Sequence, residues 1–292
     1  MTVIELVRDA AAQLEAAGLS LANGFGQGTL NAFDEATWLV LWQLGLPLHD
    51  LDSVANQPVD QQNRAQVATL LGVRISTRKP LAYLTNEAWL MGVPFYVDER
   101  VIIPRSFIAE LIVDESIDPW LSESTHRVLD LCTGNGSLAV LAAMAYPDVA
   151  IDAADISADA LAVARINVSK HNMADRIALM ESDGLEACKG RYDLILCNPP
   201  YVNAATMIGL PAEFKAEPAL ALASGADGMD FIRSLFLNAA GHMSENAVLV
   251  LEIGNERKNF KRAFSTLKPL WFETSGGPDQ VLLLTRQQLL NP

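Results

Sequence analysis

The stretch Leu194-Ile195-Leu196-Cys197-Asn198-Pro199-Pro200-Tyr201 joins an apolar run to a stiff turn. The run predicts a buried strand, which would carry the next four residues to the carboxyl edge of a sheet, where open α/β folds bind ligands. Two prolines fix the backbone, so the Asn198 side chain and the Pro199 carbonyl are presented rigidly. They offer two acceptors to a planar NH2 group, and Tyr201 offers a ring face beside them. Taken alone, the pattern is more typical of a strand that simply ends in a Pro-Pro turn.

Strands and helices alternate from His126 onward, which predicts an α/β fold with a mostly parallel, doubly wound sheet. The expected strands are short apolar runs at 127–131, 150–155, 177–180, 192–197 and 247–253. The tail, around residues 271–284, predicts a closing antiparallel hairpin.

The part of the chain before this region has a different pattern. Apolar residues at helical spacing predict three helices within residues 1–84, which we interpret as a small helical domain. Residues 85–105 contain the extended runs 94–97 and 101–103, which predict a β-hairpin that links this domain to residues 106–292.

A second loop, Asp130-Leu131-Cys132-Thr133-Gly134-Asn135-Gly136, follows the first predicted strand of the sheet. Gly134 and Gly136 allow a tight turn and a close approach of backbone to ligand. The loop lacks the third glycine of a dinucleotide fingerprint and the Lys-Ser/Thr of a P-loop. Asp155 ends the next strand, where a carboxylate can bind both ribose hydroxyls, and Asp183 ends the third, where it or its neighbours could meet an adenine. Several such groups on successive strand ends indicate a binding site.

Composition narrows the class of protein. The chain has 292 residues, a net charge of -14 and three cysteines, and half of its residues are hydrophobic. An acidic surface repels nucleic-acid backbones and attracts basic partners. The cysteines are too few for a disulfide framework, no Cys/His pair has metal-ligand spacing, and no stretch reads as a signal peptide or membrane span. We therefore expect a cytoplasmic protein without a metal.

The loop at 130–136, the two aspartates and the tetrapeptide 198–201 together resemble the motifs of class I (Rossmann-like) S-adenosylmethionine-dependent methyltransferases. The resemblance implies S-adenosylmethionine as cofactor. It implies these cofactor-binding residues: Asp130, Thr133, Gly134, Asn135, Gly136, Asp155, Asp183 and Asn198. It also implies catalytic roles for Asn198, Pro199 and Tyr201, and binding of the substrate by all four residues Asn198, Pro199, Pro200 and Tyr201.

Within that class, the helical N-terminal domain, the run 101–105 and the tetrapeptide resemble the protein glutamine methyltransferase family. Residues 95–101, 210–214 and 217–220 look most like the branch that acts on large-subunit ribosomal protein three. This resemblance covers nearly the whole chain. It implies methylation of a glutamine side-chain amide, with the N-terminal domain recognising the protein substrate.

Two alternatives remain open at this point. The sister branch acts on peptide-chain release factors, and only resemblance separates it from the ribosomal branch. A nucleic-acid amino-methyltransferase would use the same kind of tetrapeptide, but it needs a base-flipping apparatus and a basic surface. The acidic balance favours a basic protein partner, with no nucleic acid and no membrane.

Overall fold

The structure is a computed structural model that describes residues 1–291. Its helices are α1 (Val3–Ala16), α2 (Ala32–Leu44), α3 (Leu51–Val54), α4 (Gln61–Thr77), α5 (Leu81–Thr85), α6 (Ile108–Val113), α7 (Ser137–Ala145), α8 (Ala158–Lys170), α9 (Ala204–Gly209), α10 (Ala212–Lys215), α11 (Asp230–Asn238), α12 (Arg257–Ala263) and α13 (Arg286–Leu290). Its strands are β1 (Ala88–Leu90), β2 (Val93–Phe95), β3 (Arg127–Leu131), β4 (Ala150–Asp155), β5 (Ile177–Glu181), β6 (Tyr192–Cys197), β7 (Met243–Glu252), β8 (Leu270–Thr274) and β9 (Gly277–Thr285).

The chain divides into two units, and the first of them is discontinuous in sequence. The helical unit consists of Met1–Ala88, Val97–Glu99 and Leu210–Glu217. The sheet unit consists of Trp89–Tyr96, Arg100–Gly209 and the chain from Pro218 onward. Among the described residues, no helix is long and apolar enough to cross a bilayer.

The helical unit encloses a charged cluster as well as an apolar core. Arg74 on α4 is fully buried, and its Nε donates to Glu35 Oε1 at 2.8 Å. Its Nη1 donates to Glu213 Oε1 at 3.2 Å, and Arg78 Nε donates to the same oxygen at 2.6 Å. Because isolated charges are costly to bury, these contacts hold the short helix α10, which carries Glu213, in the unit.

The sheet unit is built on seven strands in the order β5-β4-β3-β6-β7-β9-β8. The strands β3 to β7 run parallel, β9 is antiparallel to β7, and β8 is antiparallel to β9. The order reverses between β3 and β6, and the crevice beyond such a reversal is the usual ligand site of an open α/β sheet. Leu131 at the end of β3 pairs with Cys197 at the end of β6, so the two loops after these strands start side by side.

Both faces of the sheet are buried, which explains why its strands are continuous apolar runs. In β6, Leu194 and Leu196 belong to one apolar core, whereas Ile195 and Cys197 belong to the other. The α/β fold with a mostly parallel, doubly wound sheet that the alternating pattern predicted is thus confirmed, as is the closing hairpin, which is β8–β9.

The linking hairpin was predicted with the wrong strands. It is formed by β1 and β2, and residues 101–103 are not a strand. Met91 and Gly92 both have positive φ, at 50° and 76°, as a two-residue hairpin turn of the primed type requires. Since the turn falls at these two residues, Val93–Phe95 pairs with the preceding strand Ala88–Leu90 and not with the following residues 101–103. The third sheet strand ends at Glu181, so Asp183 lies in the turn that follows it.

Candidate active site

A cavity of about 370 Å³ opens at the carboxyl ends of β3, β4 and β6, within the sheet unit. Its walls come from the loop after β3, the end of β4, the turn after β5 and the start of the chain after β6. Residues from 100–102 and 218–225, with Asp230 and Phe231 at the start of α11, complete the lining. The cavity therefore lies at the reversal of strand order, where the sheet topology favours ligand binding.

Asp130 and Thr133 stabilise the loop after β3 by hydrogen bonds, and neither residue lines the cavity. Asp130 is buried, and its Oδ2 accepts hydrogen bonds from the Thr133 hydroxyl and from the Ala139 amide, the latter at 3.0 Å. The Thr133 amide donates to the Ala154 carbonyl at 3.0 Å. Burial raises the pKa of Asp130 to about 7. These contacts tie the loop to α7 and β4.

Asn135 and Gly136 form the second half of the loop and also lie outside the lining. Asn135 Oδ1 accepts from the Ser137 amide at 3.2 Å, and its carbonyl accepts from Asn167 Nδ2 at 2.8 Å. Gly136 has a φ of +81°, and a Cβ there would lie 3.2 Å from Ala164 Cβ on α8. Glycine therefore allows α7 to start close against α8.

Asp155 and Gly134 meet inside the cavity lining. Asp155 Oδ2 accepts from the Gly134 amide at 2.8 Å, and its Oδ1 accepts from the Ser157 amide at 2.9 Å. Burial raises the pKa of the Asp155 carboxyl. Each carboxylate oxygen keeps a further lone pair, so the group can still accept from a diol.

Asp183 lines the same cavity from the turn after β5 and is itself exposed. The Ser182 hydroxyl donates to the Gly184 carbonyl at 2.8 Å, and the Ser182 amide donates to the Asp155 carbonyl at 2.9 Å. This turn is thereby fixed to the end of β4, with Asp155 and Asp183 facing one cavity.

The tetrapeptide after β6 reaches the cavity through its first and third residues. Asn198 and Pro200 line the cavity, whereas Pro199 is buried and Tyr201 is half-buried, both outside the lining. The next residue, Val202, exchanges backbone hydrogen bonds of 2.7 and 3.0 Å with Leu222 and Ser224. The chain after the tetrapeptide is thus held against the 218–225 wall.

Three parts of the site were not predicted to lie there: residues 100–102, residues 218–225 and Glu252. Glu252 is the last residue of β7 and is 1% exposed. Its only sequence signal is an acidic residue after an apolar run, the same signal that indicated Asp155. The two cavity walls have no such signal, since chain folding alone brings them to the strand ends.

The residues of the cavity fit S-adenosylmethionine. Its lining combines apolar side chains, among them Leu131, with the carboxylates of Asp155 and Asp183. A nucleoside with a flat aromatic base and a ribose diol matches these apolar walls and carboxylate acceptors.

Comparisons with known proteins agree with this geometry. Residues 115–249 match the family described as Methyltransferase small domain. The chain is 49% identical over 291 residues to the ribosomal protein uL3 glutamine methyltransferase of Bordetella pertussis, covering 99% of this chain and 96% of that protein. It is 46% identical over 298 residues to the protein of the same name from Burkholderia pseudomallei, covering 99% and 95%. The corresponding values for Neisseria meningitidis serogroup A are 47% over 291 residues, 99% and 94%.

Among solved structures, the chain resembles the hMettl16 catalytic domain in complex with MAT2A 3′UTR hairpin 6. The TM-score is 0.52 at 14% identity, covering 77% of this chain and 81% of that one. A likeness at this identity concerns the fold alone.

Proposed function

The chain belongs to the family of ribosomal protein uL3 glutamine methyltransferases, and from this we propose that Asn198, Pro199 and Tyr201 carry methyl transfer to a glutamine side-chain amide. It is an S-adenosylmethionine-dependent protein-glutamine N-methyltransferase acting on ribosomal protein uL3. The observation that supports the residue roles best is that Asn198 and Asp155 line one cavity at the reversal of strand order. Asn198 would hold the acceptor glutamine, and Asp155 would hold the cofactor.

Bound S-adenosylmethionine supplies an electrophilic methyl group on a sulfonium. Asp155 would accept hydrogen bonds from the ribose hydroxyls, and Asp183 would lie beside the adenine. Gly134 approaches the cofactor with its backbone, while its amide is held by Asp155 at 2.8 Å. Asp130, Thr133, Asn135 and Gly136 would contribute by fixing the loop.

Asn198 and Pro199 address the central chemical difficulty, which is the weak nucleophilicity of an amide nitrogen. Its lone pair is delocalised into the carbonyl. Asn198 Oδ1 and the Pro199 carbonyl would accept hydrogen bonds from the two N–H groups of the glutamine amide. They would thereby orient the nitrogen for in-line attack on the methyl group. The two acceptors also stabilise the positive charge that develops on nitrogen in the transition state. Pro200 keeps this geometry stiff, because its ring fixes φ.

Tyr201 would pack on the amide plane and help exclude water. After methyl transfer the nitrogen is cationic and strongly acidic, so it loses its proton to solvent without a dedicated base. The residues thus act by positioning and electrostatics.

The protein partner is proposed to be uL3 as a free basic chain in the cytoplasm. The net charge of -14 favours encounter with such a protein. We propose that the helical N-terminal domain, residues 1–84 in the sequence analysis, recognises this substrate. Residues 85–105 would link it to the methyltransferase domain at 106–292.

Transfer of labelled methyl groups from S-adenosylmethionine tests the function. The acceptors are purified uL3, a release factor, and protein-free RNA and DNA. We expect label on uL3 alone, and we expect that changing its acceptor glutamine to alanine abolishes labelling. Label on the release factor would move the activity to the sister branch, and label only on nucleic acid would contradict glutamine methylation.

The variant Asn198→Ala tests the role of the tetrapeptide. We expect its kcat to fall at least about 10²-fold, since one of the two orienting acceptors is lost, while the Kd for S-adenosylmethionine changes by less than about threefold. Asn246→Ala is the control, because Asn246 is exposed on β7, outside the cavity lining. Equal losses in turnover and cofactor binding would contradict the proposed role.

A further inference from the structure

Glu252 is a buried carboxyl that the mechanism above does not use. It ends β7, the strand beside β6, and the preceding residue Leu251 pairs with Cys197 directly before the tetrapeptide. A carboxylate that is 1% exposed needs several donors to offset the loss of water. The donors that contact Glu252 therefore indicate which parts of the structure it positions.

The two oxygens of Glu252 have different partners. Oε2 accepts from the Ser106 hydroxyl at 2.6 Å and from the Phe107 amide at 2.9 Å. Oε1 accepts from the Tyr201 hydroxyl at 3.4 Å. One oxygen therefore anchors the start of α6, and the other faces the tetrapeptide.

The ring of Tyr201 is fixed at a second point by the turn that follows Glu252. Gly254 has a φ of +50°, and a Cβ placed on it would lie 2.6 Å from Tyr201 Cε2. The ring thus lies directly against bare backbone while its hydroxyl bonds to the carboxylate. Glu252 and Gly254 thus contact the ring at two places, its hydroxyl and one edge.

We propose that Glu252 is a positioning residue that acts through its Oε1 on Tyr201, so that the ring lies correctly on the acceptor glutamine. This inference rests on the proposed role of Tyr201. The carboxylate does not touch the reacting atoms, and no proton transfer is assigned to it.

Protonation of Glu252 would disturb this arrangement at one oxygen in particular. Because Oε2 already accepts two hydrogen bonds, an added proton goes to Oε1, where it competes with the Tyr201 hydroxyl. The hydroxyl must then turn from donor to acceptor, and the hold on the ring changes. Burial raises the pKa of Glu252 to about 7, and the nearby Arg105 opposes this rise. Turnover is therefore expected to decline as pH falls below about 7.

Asp130 is the confounding group, because burial also raises the pKa of this loop residue to about 7. The charged and titratable groups around Glu252 itself are Arg105 and Tyr201. Asp130→Asn is therefore the matched control, since it removes one buried carboxyl that titrates in the same range and leaves Glu252 in place.

The experiment measures kcat and KM for uL3 from about pH 5.5 to 9, with the Kd for S-adenosylmethionine, in the full-length enzyme. We expect the kcat of the wild type to decline as pH falls below about 7 and to level off at about a tenth of its high-pH value, because protonation disturbs only the contact between Glu252 and Tyr201. In Glu252→Gln the acidic decline should vanish, with a plateau kcat within about tenfold of wild type and an unchanged cofactor Kd. Asp130→Asn should keep the decline.

Three outcomes would overturn the inference: an acidic decline that persists in Glu252→Gln, a cofactor Kd that weakens in step with kcat, or a plateau loss beyond about 10²-fold, which would indicate proton transfer. If Glu252→Gln does not fold, Tyr201→Phe replaces it, because this variant removes the hydroxyl that donates to Oε1 and keeps the ring. It should lose the acidic decline, and retention of the decline would equally refute the inference. Absence of methyl transfer to uL3 by the wild type would instead refute the proposed function.

Discussion

Gly254 offers a sharp test of whether the position of the Tyr201 ring controls turnover. An alanine there would place its Cβ 2.6 Å from Tyr201 Cε2 and 3.0 Å from Cζ. Ordinary contact begins at 3.4 Å, so the ring would have to move by about 0.8 Å. A displacement of about 1 Å in a positioning group can reduce a rate about 10²-fold. We therefore expect the kcat of Gly254→Ala to fall by that order.

The backbone contribution to this variant has to be separated from the clash. Gly254 has a φ of +50°, where an alanine costs about 1 kcal/mol of stability whatever its surroundings. Gly45 has a φ of +64° and nothing within 4 Å of an added Cβ, so Gly45→Ala carries the same backbone cost without a clash.

Urea unfolding, steady-state kinetics with uL3 and calorimetric binding of S-adenosylmethionine would be measured on both variants. Gly45→Ala should lose about 1 kcal/mol of stability and Gly254→Ala at least as much, and only Gly254→Ala should lose turnover, with its cofactor Kd within about twofold of wild type. Wild-type kcat in a folded Gly254→Ala would refute the reasoning, as would a loss that Gly45→Ala shares.

Three further outcomes follow from the buried charges. Glu213→Gln removes a charge that faces the fully buried Arg74, so we expect the free energy of unfolding to drop by about 3 kcal/mol in urea titrations. A drop of less than about 1 kcal/mol would contradict a stabilising role of this ion pair. Folded Asp130 keeps its proton up to about pH 7, whereas the unfolded chain loses it near 3.8, so stability should fall as pH rises between these values, and Asp130→Asn should flatten that part of the profile. Asp155→Asn should weaken binding of S-adenosylmethionine at least about tenfold by calorimetry, whereas the exposed Asp159→Asn on α8 should not, and equal affinities would contradict the ribose role.

Much of the fold could be predicted because its signals are local. The strands of the sheet are apolar runs with both faces buried, so β3 and β6 were found within a residue of their observed bounds. The capping box of Thr2 and Glu5 is a local signal of the same kind, and it marks the start of α1. The strands of the linking hairpin were predicted wrongly because its turn contains Met91 in a left-handed conformation, which is uncommon for a residue other than glycine.

The position of a residue at the cavity could be predicted where that residue directly follows a strand. It could not be predicted where a segment distant in sequence packs against the strand ends. Gly134, Asp155, Asp183 and Asn198 meet at one cavity as their strand-end positions indicated. The 218–225 wall reaches the cavity through backbone pairing with Val202, which leaves no trace in residue type.

The discontinuous helical unit has a consequence for the order of events during synthesis. Glu213 follows Arg74 by 139 residues, so the buried arginine emerges from the ribosome long before this partner exists. Nascent domains ordinarily fold as soon as their own residues are available. Here the first helices can pair Arg74 with Glu35, but they lack its second carboxylate, Glu213, until the sheet strands β3 to β6 have been translated. The nascent enzyme therefore completes its helical unit only after most of its sheet has emerged, and a chain that stops before Leu210 leaves both units unfinished.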